Sequence, residues 1–103
     1  MNQEERLILD AVNLALKEHG SPERFAPHPF FPATRTFTVT IPGKHQTVRI
    51  WPSCRRLDIF TEASTGPYWG YSRTIGNYTG THWLPQLAQD AVDTITSPPK
   101  NQT

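Results

Sequence analysis

Cysteine is almost missing from this chain: Cys54 is the only one in 103 residues. No internal disulfide can brace the fold, and such usage agrees with a reducing compartment. A long apolar run is missing too. The most apolar stretch, Leu7 to Leu16, is broken by Asp10 and Asn13, well short of the roughly 20 apolar residues of a spanning helix. The opening Met1-Asn2-Gln3-Glu4-Glu5-Arg6 is polar and acidic where a secretory leader starts basic and turns apolar. The expectation is a cytoplasmic chain with no membrane partner, in which the sequons Asn77-Tyr78-Thr79 and Asn101-Gln102-Thr103 are coincidental.

Net charge is equally scarce. Ten basic residues meet nine acidic ones, for a formal charge of +1, whereas tight phosphate binding needs a sustained positive field. Metal-ligand spacing is also missing, because the four histidines lie far apart and only one cysteine exists; no cofactor is expected. Cys54 beside Arg55 and Arg56, with His19, His28, His45 or His82 as a base, supplies the ingredients of a thiol nucleophile. No spacing pairs them, and the chain reads as non-enzymatic. Gly76 to Thr81 precedes a helix but lacks the lysine and glycine spacing of a phosphate-binding loop, so it reads as a cap.

What is present is proline, glycine and aromatic side chains. Ten prolines and six glycines make the chain rich in turns, and the stretch from Thr65 to Trp83 holds all three tyrosines and two of the three tryptophans. Aromatic rings give large contact area for little lost rotamer freedom, and glycine allows close backbone approach, so this cluster suits a recognition surface as well as an ordinary hairpin.

Periodicity sets out the elements. Glu4 to His19 reads as a helix with an apolar stripe of Leu7, Ala11, Leu14 and Ala15, widened by Ile8 and Val12, capped by Asn2 with Glu5 and stopped by Gly20-Ser21-Pro22. Residues 21–34 interleave prolines with Phe25, Phe30 and Phe31, an extended arm that either packs on the core or binds a partner. Arg35 to Ile41 alternates as a strand, Pro42-Gly43 makes a type II turn, and Gln46 to Trp51 returns antiparallel. Arg55 to Glu62 is a third strand, and Tyr68 to Ile75 a fourth in which Gly70 marks a bulge or a close backbone approach. A last helix begins near Trp83 and ends at Ser97-Pro98-Pro99.

This order predicts one α+β domain over 1–96, with 97–103 as a flexible polar tail. It is a two-layer sandwich of helix, three- or four-stranded antiparallel sheet and helix, with both helices on one sheet face. Helix, strands, then a glycine-bearing loop before the last helix resembles the element order of double-stranded-RNA-binding domains. Those domains carry a lysine cluster at the start of the last helix, where this chain has Thr81-His82-Trp83-Leu84-Pro85. The resemblance therefore implies element order alone.

With the inner residues packed on the helices, the outer face offers Arg49, Trp51, Arg56 and Phe60 among threonines. Between Arg35 and His82 six basic residues face only Asp58 and Glu62. Two functions use such a surface. The first is an interaction protein that binds another protein through the aromatic-glycine loop and the sheet face, with Trp51, Tyr68, Trp69, Tyr71 and Tyr78 as anchors and Arg49, Arg56 and Arg73 as charges. The second is a nucleic-acid-binding accessory domain, with Arg49, Arg55, Arg56 and Arg73 on phosphates and Trp51 or Trp69 stacked on the bases. The plainer reading is a solvated face of cross-strand pairs, and free strand edges allow self-association.

Overall fold

The computed structural model describes residues 2–28, 35–41, 43–62 and 70–96. The first helix, α1 (Gln3–His19), begins with a complete capping box: the Asn2 side chain accepts from the Glu5 N–H, and the Glu5 carboxylate accepts from the Asn2 N–H. Two donors otherwise orphaned at a helix start are thereby satisfied. Gly20, at φ +91°, ends it in the left-handed conformation that costs glycine nothing.

The chain then forms one antiparallel sheet of five strands in sequence order: β1 (Ala26–Pro27), β2 (Phe37–Ile41), β3 (Gln46–Trp51), β4 (Arg56–Glu62) and β5 (Gly70–Asn77). The helix α2 (Trp83–Thr96) follows. The α+β order of helix, antiparallel sheet and helix therefore holds, while the strand count corrects the expected three or four to five. The fifth strand comes from the proline-rich segment, where Ala26 pairs with Thr38 and Pro27 with Phe37. Proline is admissible there because an edge strand need not donate on its free side.

The first part of that segment is pinned twice. Asn13 of α1 accepts from the Phe25 N–H and donates to the Phe25 carbonyl, at 2.8 and 3.1 Å, and the Phe25 ring is buried. Phe30 and Phe31 lie outside the described residues, as does the expected tail over 97–103.

Opposed residues in antiparallel strands share a face. Phe37 stands across from Ile50 and Ile50 from Leu57; Val39 stands across from Val48 and Val48 from Ile59. These rows form one core with Ile8, Val12 and Leu16 of α1 and Leu87, Ala91, Val92 and Ile95 of α2, so both helices cover the same sheet face. Burying one leucine or isoleucine side chain contributes about 1.5–3 kcal/mol, and Ile8, Leu16, Ile50, Leu57 and Leu87 are all fully enclosed. The stripe of α1 is rotated from the expected one, leaving Leu7 and Leu14 exposed. Both sets of residues have helical spacing, and tertiary bonds from Asn13 and Glu5 choose between them.

The β2–β3 turn has Gly43 at φ +76° and a Lys44 N–H donating to the Ile41 carbonyl. At Gly70 the backbone lies against β4 and under the Phe60 ring, so a Cβ would meet the ring carbon Cζ at 2.6 Å. This is a close approach. The β4–β5 irregularity lies farther on, where Leu57 pairs with Gly76 but Asp58 with Thr74, leaving Ile75 as the extra residue.

Candidate functional site

The sheet's second face carries neither helix. Its rows are Thr38, Arg49, Asp58 and Thr74; then Thr40, Thr47, Phe60 and Ser72; then Trp51, Arg56 and Asn77. At the centre stands Asp58, buried although it is on the face away from the core. Its Oδ2 accepts the Trp51 indole N–H at 2.8 Å, and its Oδ1 lies 3.2 Å from the Arg56 Nε. A buried carboxylate is costly unless paired and hydrogen-bonded, and these two neighbours are the compensation.

Both arginines lie over the Trp51 ring. The guanidinium carbon of Arg56 is 4.8 Å from the ring centroid and that of Arg49 is 5.7 Å away, inside the range where a cation is attracted by the π face. The indole is held by Asp58 and in turn holds the guanidinium groups. The Arg56 Nε to Asp58 Oδ1 contact is an ion pair without hydrogen-bond alignment. These two atoms and the Arg49 Nε are therefore buried with no hydrogen-bond partner. Among the described residues no hydrogen bond reaches the terminal guanidinium nitrogens of either arginine.

The eight residues expected to form one surface are divided by the structure. Arg49, Trp51 and Arg56 share the outer face, each half-buried. Tyr71 pairs with Thr61 and Arg73 with Ile59, which puts both on the helix side of β5, where both are exposed. Tyr78 is a correction: its ring is buried at 7% exposure, and its hydroxyl donates to Asp90 Oδ2 of α2 at 2.6 Å. Burial first, then the Asp90 hydrogen bond and charge, push its ionisation well above the ordinary tyrosine range. It is no surface anchor. Tyr68 and Trp69 lie outside the described residues.

Arg55 is also engaged elsewhere. In the left-handed conformation at φ +52°, it stacks on Trp83 at 4.0 Å and pairs with Glu4 at 3.2 Å. It ties the corner after β3 to the first turns of both helices. Glu5 performs a similar function, accepting two bonds from Arg35 at 2.8 and 2.9 Å. The Arg35 hydrogen bonds, helped by the Asn2 N–H, bring its carboxyl down to about 2.

With Leu57 and Ile59 facing the core, alternation puts Asp58 on the outer face as a member of solvated cross-strand pairs, not as the buried anchor of the Trp51 indole. The signal for Asp58 was the Arg56-Leu57-Asp58 alternation, which sets cation and anion side by side on one face; the Arg49 register then brings a second cation across. Among the described residues no three His, Cys, Asp or Glu side chains gather to hold a metal ion, and no helix is long and apolar enough to cross a membrane. No protein-family model, curated protein or solved structure matches the chain.

Proposed function

We propose that this chain is a non-catalytic interaction module whose outer sheet face binds another protein, with Arg49, Trp51 and Arg56 at the centre of the contact. The observation that carries the reading is the guanidinium–indole stack anchored on Asp58, whose terminal guanidinium donors have no partner among the described residues. Tryptophan and arginine dominate the centres of protein interfaces. An arginine already stacked and oriented loses little rotamer freedom on binding. The fitting partner presents carboxylates or backbone carbonyls to these forks.

Two features favour a protein over a nucleic acid at this face. Guanidinium groups already lie over the Trp51 ring where a base would stack, and Asp58 puts a negative charge in the middle of the cluster. Arg55, which a nucleic-acid surface would use, is engaged on the other side of the sheet.

The test is capture by the immobilised full-length chain from a cell extract, compared with its Arg49→Ala variant. Arg49 makes no hydrogen bond or ion pair among the described residues and loses only its stacking on Trp51, so the variant is expected to fold, which circular dichroism checks. Capture of a defined protein species that resists nuclease and is lost with Arg49→Ala supports the reading. A species retained equally by the variant refutes it, and capture abolished by nuclease transfers the face to nucleic acid.

A further inference from the structure

The two edges of the sheet are built differently. β1 is a two-residue edge containing Pro27, and short length and proline are both ways of blunting a strand edge. β5 is an eight-residue edge with no proline, no lysine and a single charge, Arg73. Its residues from Gly70 to Thr74 are all exposed. Among the described residues nothing pairs with its free side.

The register tells which backbone groups face outward. The Glu62 N–H donates to the His45 carbonyl, so Glu62, Phe60 and Asp58 turn their polar groups toward β3, and Thr61, Ile59 and Leu57 turn theirs toward β5. The Tyr78 N–H donating to the Arg55 carbonyl fixes the same phase from the other end. Tyr71 and Arg73, opposite Thr61 and Ile59, therefore bond to β4. Gly70, Ser72 and Thr74 present their N–H and C=O groups to the open side. Beyond Thr74 the extra residue Ile75 breaks this alternation.

We infer that β5 pairs antiparallel with β5 of a second copy of this chain, about a two-fold axis through Ser72, joining two sheets into one. In that register Gly70 faces the partner's Thr74, Ser72 faces the partner's Ser72, and Thr74 faces the partner's Gly70. Each such pair exchanges two bonds, giving about six across the axis and using every outward group from Gly70 to Thr74. Tyr71 then stands directly across from the partner's Arg73 on the helix side, twice by symmetry, an aromatic–cation pair in the closer type of cross-strand position. It also gives the Tyr71 ring, 65% exposed in the single chain, a surface to cover it.

Neighbouring registers are poorer. An axis through Arg73 sets the two arginines against each other, and one through Tyr71 sets the two tyrosines against each other, so that neither keeps the Tyr71–Arg73 pair. The isologous contact is self-complementary, as a two-fold interface must be. It leaves the Arg49–Trp51–Arg56 cluster uncovered on the other sheet face, so it stands or falls independently of the proposed function.

The experiment is sedimentation of the full-length chain from about 1 μM to about 1 mM, with circular dichroism confirming the fold of each variant. The expected mass rises with concentration from that of one 11.7 kDa chain to twice that value. Tyr71→Lys, on an exposed side chain, puts a lysine across from Arg73 on both sides of the axis and should weaken dimerisation about tenfold. Tyr71→Glu should strengthen it by forming an ion pair with the same arginine. Ser72→Pro removes an outward donor that has no partner among the described residues, and should leave a folded monomer. A mass of one chain at every concentration overturns the inference, as does a dimer indifferent to Ser72→Pro and to both Tyr71 variants.

Discussion

Tyr78→Phe deletes one oxygen atom at the junction of β5 and α2. The hydroxyl donates to the Asp90 carboxylate at 2.6 Å, and hydrogen bonds to charged groups contribute about 1.5–3 kcal/mol. Asp90 is half-buried, so water reaches the abandoned carboxylate and the loss falls near the lower end, about 1.5 kcal/mol. In a domain of this size each kcal/mol lowers the melting temperature by roughly 4–8 °C, which gives a fall of about 6–12 °C. Thermal unfolding followed by circular dichroism measures it, and a double-mutant cycle with Asp90→Ala isolates the pair from the rest of the ring's packing. Burial of the ring, with this bond, also sets a pH dependence. The folded-state ionisation of Tyr78 is raised, so its contribution is complete below the unfolded value of about 10 and is lost as pH climbs through the higher folded value. A variant melting within a degree of the parent, with no coupling to Asp90, would refute this assignment and return Tyr78 to the surface.

Gly76 lies under the same ring, where an added Cβ would sit 2.9 Å from the Tyr78 Cζ. Gly76→Ala should therefore cost about 1–3 kcal/mol through overpacking, seen as a lower urea midpoint. Glu5, lowered to about 2 by Arg35 and the Asn2 N–H, contributes stability that is present above the ordinary carboxyl range and disappears as pH falls through about 2; Glu5→Gln should flatten the acid limb of a stability-versus-pH curve. Leu57→Ala empties a fully enclosed site beside the β4–β5 irregularity and should cost about 2–5 kcal/mol, measured by denaturant unfolding. Trp51→Phe keeps a ring for the arginines but removes the N–H that satisfies Asp58, so it should destabilise by about 1–3 kcal/mol.

The layered fold was legible because period-two alternation over Phe37 to Ile41 and helical spacing over Leu84 to Ile95 each permit one buried face. Pro27 hid the first strand, since its ring argues against pairing until the strand is known to be an edge. The phase of α1 was not legible from periodicity. Leu7 and Leu14, seven residues apart, fit a helical face as well as Ile8, Val12 and Leu16, four apart, and the buried set is the one whose helix phase lets Asn13 reach the Phe25 backbone, 12 residues away. The site was legible in part for a related reason. Alternation places Arg49, Trp51, Arg56 and Asp58 together once the strands are in register, but it does not reveal that Asp58 is buried there and holds the indole. In β5, alternation put Tyr71 and Arg73 on the side opposite to Trp51, so grouping them by composition merged two surfaces. Tyr78 was misread because a tyrosine-glycine cluster looks the same in sequence whether a given ring faces solvent or, as Tyr78 does, a helix carrying Asp90.

Site-specific photocrosslinking addresses the central claim most directly. A photoreactive residue replaces Thr40, exposed on the outer sheet face, or Gln89, exposed on α2, and adducts formed in a cell extract are compared. The account predicts a discrete protein adduct from Thr40, competed by unlabelled chain, missing from Gln89, and lost when Arg49→Ala is added. An adduct that forms equally from Gln89, or that survives Arg49→Ala, would contradict it.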